Sequence, residues 1–227
     1  RPCRQMAIVK FWSLEIPLMQ IKSFLLAVVI GMLPMLGQAQ TSALAQLNQF
    51  NEQVQAASGK FSQQTETQTG ETKAPQTGDF SFKRPGRFKW EIIQPYEQLI
   101  ISNGRQVMQY DPDLAQVTER SVDESVGASP AAILFGSGEL EEAFEIQELP
   151  VKNDVAWLRA KPRSADAGFQ HVDLGFKDGL PVELKLLDGF GQTTVIRFES
   201  VQTNPELPDD AFRFVVPDGV DHVVLRQ

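Results

Sequence analysis

Cysteine is almost missing from this chain: Cys3 is the only one in 227 residues, and there are two histidines, His171 and His222. Beyond Cys3 no disulfide, thiolate metal site or cysteine nucleophile can form. Neither histidine has another at i+3 or i+4, so zinc-type spacing is absent. There is no Gly-x-Ser-x-Gly elbow and no phosphate loop. Gly136-Ser137-Gly138 is too short to cradle a phosphate and reads as a helix stop with linker. Glu139, Glu141 and Glu142 read as a solvated helix face, and Asp111 and Asp113 as turn residues around Pro112. No catalytic residue, metal ligand or cofactor is expected.

Positive charge is also scarce. Residues 1–39 hold four of the 21 basic and one of the 29 acidic residues, which leaves 17 and 28, a formal charge of −11. Such a chain is a poor nucleic-acid binder and a poor match for anionic headgroups.

The N-terminal stretch reads as a leader. Met19-Gln20-Ile21-Lys22 is a short positive region, Phe24 to Leu36 is apolar, and Gly37-Gln38-Ala39 is a small-x-small cleavage site. Interrupted by Pro34, the apolar stretch is short for a spanning helix, which needs about 20 residues. Residues 1–18 precede Met19 and read as an over-extended gene model. The expectation is a secretory signal over 19–39, then one domain over 40–227 with no cysteine to carry a lipid. Such a product is soluble and, in a two-membrane cell, periplasmic.

From Thr41 the residues Leu44, Leu47, Phe50 and Val54 recur at helical spacing, and Gly59 reads as the stop. The pattern then alternates. Strands are expected at 60–66, 78–83, 87–93, 97–102, 106–111, 115–119, 144–149, 155–161, 169–176, 181–187, 193–200 and 212–216. Pro85-Gly86, Asn103-Gly104, Asp178-Gly179 and Gly189-Phe190-Gly191 mark turns between them. Ser129-Pro130-Ala131-Ala132-Ile133-Leu134-Phe135-Gly136 interrupts as a short helix, with Ser129 as N-cap and Pro130 in its first turn. A second short turn follows from Glu139 to Ala143. So many antiparallel strands must curl or close, which gives one curved sheet covering a few helices.

The apolar residues admit two readings. Phe80, Phe82, Phe88, Trp90, Leu99, Ile101 and Met108 either fill a core or line a groove for an apolar ligand. Within one strand, Phe88, Trp90 and Ile92 point one way, and Arg87, Lys89 and Glu91 the other.

Six segments in order then carry a resemblance. They are Phe61-Ser62-Gln63; Lys83-Arg84-Pro85-Gly86-Arg87-Phe88-Lys89-Trp90; Gln94-Pro95 leading to Ile100-Ile101-Ser102-Asn103-Gly104; Tyr110-Asp111-Pro112-Asp113-Leu114-Ala115-Gln116-Val117-Thr118; Ser129 to Gly136; and Pro208-Asp209-Asp210-Ala211-Phe212-Arg213 running to Val220. With them the chain resembles the LolA-type periplasmic carriers of outer-membrane lipoproteins. The resemblance implies a single incomplete antiparallel β-barrel, mainly β with some α, under a helical lid. It implies a cavity for lipoprotein acyl chains, walled by Phe88 and Trp90, and a lid latched by Arg84. Leu99, Ile101, Met108, Ile133, Leu134 and Phe135 complete the expected wall. Family members often carry Trp before Tyr-Asp-Pro, where this chain has Met108-Gln109; methionine fills irregular pockets. The implied partners are triacylated lipoproteins, an inner-membrane lipoprotein-releasing ABC transporter and an outer-membrane receptor, with the carrier a monomer and not an enzyme. Two alternatives remain: the outer-membrane receptor of similar fold, and a periplasmic hydrolase with paired carboxylates.

Overall fold

A computed structural model describes residues 41–121, 134, 143–164 and 167–225. The expected signal over 19–39, the helix expected at Ser129–Gly136 apart from Leu134, and the turn expected from Glu139 apart from Ala143 lie outside them.

Ser42 caps α1 (Ala43–Gln53), its Oγ accepting from the Ala45 N–H at 3.2 Å. Then come β1 (Ala56–Glu66), β2 (Gln76–Lys83), β3 (Arg87–Gln94), β4 (Gln98–Asn103), β5 (Gln106–Asp111) and β6 (Gln116–Ser121). After them follow β7 (Phe144–Lys152), β8 (Val155–Pro162), β9 (Phe169–Lys177), β10 (Leu180–Asp188), β11 (Thr193–Thr203) and β12 (Asp221–Val224). All twelve strands form one sheet, in the order β12-β6-β5-β4-β3-β2-β1-β11-β10-β9-β8-β7. Its end strands do not pair, so the barrel is unclosed. Every pairing is antiparallel except β12 on β6, which is parallel. Among the described residues no helix is long and apolar enough to cross a membrane.

The core fixes the curvature. Leu47 and Phe50 of α1 are buried against one face of the sheet. The Phe50 ring lies 6.1 Å from Phe82 on β2 and 6.5 Å from Phe176 on β9. Those strands are four steps apart in the sheet, about 19 Å if it were flat at the usual strand spacing. One ring reaches both because the sheet bends around the helix.

Glycines admit the large rings. Phe61 stacks on Trp90 at 3.7 Å, and Phe198 meets Phe80 edge-on at 5.4 Å. A Cβ on Gly78 would stand 2.8 Å from the Phe61 ring and 1.9 Å from the Glu91 carbonyl oxygen. Gly59 belongs to this set as well. It does not stop the helix, which ends at Gln53; it sits in β1, where a Cβ would stand 2.8 Å from the Phe80 ring.

The strand expected at 212–216 is absent. Phe212 closes a 3-10 turn (Asp209–Phe212), and the chain beyond it crosses the sheet face away from α1 without joining a ladder. The alternation is real but serves another end: Phe212 is buried and Phe214 packs on Tyr110 at 5.5 Å, while Val215 is exposed. This strap then returns as β12, which the sequence pattern does not announce because its four residues are all exposed.

Asp209 Oδ1 ties the strap to the sheet, accepting from Lys83 Nζ and Arg87 Nη1, each at 2.8 Å. The hydrogen bond from Lys83, then that from Arg87, holds the Asp209 carboxyl below its ordinary pKa. A folded-state pKa below the unfolded one makes the tie fully present above about pH 3.9 and lost as pH falls through the lower folded value. Asp209→Asn should therefore lower the urea midpoint at pH 7, and the gap to wild type should close as acid titration proceeds below pH 4.

Candidate functional site

Arg84 follows β2 at the hairpin into β3, and its fork reaches two separate pieces of chain. Nε donates to the Val54 carbonyl at 3.0 Å, just past the end of α1. Nη2 donates to Asn51 Oδ1 at 2.9 Å and to the Leu134 carbonyl at 3.4 Å. The backbone N–H of Arg84 donates to Gln55 O at 2.8 Å, and the guanidinium lies 5.2 Å from the centre of the Phe82 ring. Burial pushes its pKa down, yet arginine stays charged at neutral pH. A planar fork of five donors can grip several carbonyls at once, which an ammonium cannot. One side chain thus joins the C-terminal end of α1, the sheet and Leu134.

Strand register sorts the expected wall into two groups. Phe88 pairs with Phe82 and Ser102, and Trp90 with Phe80 and Ile100. Directly paired residues project to the same face, so Phe88, Trp90 and Ile100 lie on the helix-covered side. There Phe88 and Trp90 are buried at 3% and 4% exposure, and Leu134 joins the same core at 1%. Leu99 pairs with Glu91 and Tyr110, and Ile101 with Lys89 and Met108. Leu99, Ile101 and Met108 therefore face the opposite way, toward the strap. They do not share a wall with Trp90. Ile133 and Phe135 lie outside the described residues.

The outward group lines two clefts beside Phe214. One, of about 420 Å³, is bounded by Ile101, Met108, Phe212, Phe214 and the Arg87–Asp209 pair. The other, of about 310 Å³, includes Leu99, Tyr110 and Pro112. On the helix side, sequence reasoning missed Asn51, the side-chain partner of Arg84, which offers no pattern beyond its place at the end of an amphipathic helix.

His171 does not assemble catalytic chemistry. It stands 4.0 Å from Asp173, which Arg159 engages through two bonds of 2.7 and 2.9 Å. Burial, then the Arg159 charge, lowers the His171 pKa against the raising effect of Asp173. Among the described residues no three His, Cys, Asp or Glu side chains gather as a metal site.

With this geometry in hand, the chain can be set beside known proteins. The family profile described as "Outer membrane lipoprotein carrier protein LolA" matches residues 52–215. An outer-membrane lipoprotein carrier protein of Bordetella avium is 52% identical over 197 residues, covering 87% of this chain and 94% of its own. One of that name from Cupriavidus pinatubonensis is 43% identical over 192 residues, covering 83% and 90%. The crystal structure of a LolA superfamily protein from Nitrosomonas europaea aligns with TM-score 0.48 at 14% identity, over 77% of this chain and 98% of that one.

The division of the wall has a direct test. Trp90→Asp buries a charge in the stacked aromatic core and should abolish the cooperative melt, at a cost of several kcal/mol. Met108→Asp, on the half-buried opposite face, should keep a cooperative melt and leave uptake of an apolar fluorescent probe unchanged. Calorimetry beside probe titration reads both; loss of probe uptake in folded Met108→Asp would place the groove on the strap side.

Proposed function

The chain belongs to the LolA family of outer-membrane lipoprotein carrier proteins, and we propose that it ferries triacylated lipoproteins across the periplasm by sheltering their acyl chains under α1 and Leu134. The observation that carries this reading is the bridge at Arg84: the cover of the apolar face is fastened by a few polar bonds. A carrier needs such a cover. Exposing a buried CH₂ to water costs about 0.8 kcal/mol, so three chains of about 15 methylenes cost on the order of 36 kcal/mol. Unassisted crossing of an aqueous compartment is closed at that cost. The site must shelter much of this surface and still release it, which favours loose walls and a weak fastening over a tight pocket.

In this account the carrier loads at an inner-membrane ABC transporter and hands over to an outer-membrane receptor. Nucleotide hydrolysis belongs to the transporter, and the carrier contributes binding and release. A receptor of the same fold would need a cysteine to lipidate, and residues 40–227 contain none. A hydrolase would need a carboxylate pair that spacing does not single out, nor geometry among the described residues. Family membership favours neither.

Arg84 tests the mechanism. A hydrogen bond from a charged donor contributes about 1.5–3 kcal/mol, so losing the fork should shift a two-state cover at least about tenfold toward open. Arg84→Leu should load normally and then retain its lipoprotein, because closing no longer helps to expel the chains. Arg84→Lys, with charge but no fork, should fall between. The assay loads each variant from inner membranes and measures transfer to outer membranes; normal release by Arg84→Leu would remove the latch from the account.

A further inference from the structure

The first turn of α1 contains no acidic residue, yet its leading N–H groups are all partnered. A helix leaves its first N–H groups without internal acceptors. Here Gln46 N donates to the Ser42 carbonyl at 3.0 Å as the first bond of the helix itself, and Ser42 Oγ accepts from Ala45 N at 3.2 Å. The other two go to one carboxylate more than a hundred residues away. Glu148 Oε2 accepts from Ala43 N at 3.2 Å and Oε1 from Leu44 N at 2.8 Å. A carboxylate at this position also meets the positive end of the helix dipole.

Where Glu148 comes from is the telling point. It lies on β7, an end strand of the sheet, whose only ladder partner among the described residues is β8. It pairs with fully buried Leu158, so it stands on the helix-covered face, in line with Phe144 and Ile146. Glu148 itself is exposed, yet a charge on the helix side of an edge strand breaks the apolar pattern, and the N-terminus of α1 answers it. At the other end of β7, Phe144 packs on Phe169 at 6.1 Å. Glu148 thus fastens the stretch of the free edge beyond that aromatic contact.

We propose that Glu148 is a second latch, a positioning residue at the opposite end of α1 from Arg84, which holds edge strand β7 against the helix and sets how readily that edge moves aside for an acyl chain. The statement about acyl chains rests on the carrier reading; the tie between helix and edge strand rests on the geometry alone.

The test places spin labels on exposed Gln49 of α1 and Val151 of β7, both changed to Cys in a Cys3→Ser background. In Glu148→Ala the longer interlabel distances should be populated at least threefold more than in wild type. Glu148→Gln, which keeps an acceptor oxygen without the charge, should be intermediate. Arg84→Leu, which frees the other end of α1, should lengthen this distance less than Glu148→Ala does. In stopped flow, a fluorescent hexadecanoyl probe should associate severalfold faster with Glu148→Ala. A plain helix cap would lower the melting temperature and move neither readout. An unchanged distance in a cooperatively folded Glu148→Ala, or in Glu148→Gln if the alanine variant fails to fold, overturns the latch. A longer distance with unchanged probe association overturns its gating role. If wild-type protein takes up no probe at all, the carrier reading falls, and the distances still decide the tie.

Discussion

A sheet of twelve strands whose end strands do not meet must cover its inner face with something other than itself. That single constraint organises the molecule. Curling brings β2 and β9 to the same phenylalanine of α1, so a helix of three turns can reach strands on both arms of the curve. The helix therefore acts as a chord. Its fastenings are polar and lie along its length: Glu148 at the first turn, Gln46 accepting from Gly179 N at 2.9 Å beneath it, and Arg84 at its C-terminal end.

Alternation along the strands governs the rest. Through β3 to β5 one parity builds the stacked aromatic core and the other an apolar strip on the far side. The strip would stand in water were it not for the strap, whose Phe212 and Phe214 lie over it and whose Asp209 ties to Lys83 and Arg87. The sheet is thus covered twice, by a helix on one face and by an extended segment on the other.

This arrangement explains what could be read in advance. Alternating apolar residues and turn dipeptides mark β2, β3 and the β8–β11 arm, because each strand there has one buried and one wet face. The same signal misled at 212–216, where two inward aromatics two residues apart suit a strap as well as a strand. β12 has no buried residue and so no pattern. The expected wall mixed two faces for a related reason. Leu99, Ile100 and Ile101 are all apolar, so parity within β4 is silent, and only the β3–β4 hairpin register assigns them. Arg84 could be picked out through its motif. Asn51 and Glu148 could not, since their partners lie 33 and about a hundred residues away and no local spacing reports them.

The division of labour between polar ends and apolar middle bears on how such a cover could move. When a hydrogen bond at Arg84 or Glu148 opens, water replaces the lost partner, so each release costs only the small net worth of an exchanged bond. Lifting Leu47 and Phe50 from Phe82 and Phe176 is different, because water does not replace apolar contact and about 25 cal/mol is lost for each Å² exposed. An acyl chain can replace it. On the carrier reading the cargo supplies the very contacts that opening removes, so the loaded open form is stabilised by its ligand and the empty one closes. A cover fastened by apolar packing alone would lack this asymmetry between ends and middle. On that reading, polar latches at both ends of a greasy chord would let the presence of a hydrocarbon chain, rather than the strength of any lock, decide which state is held.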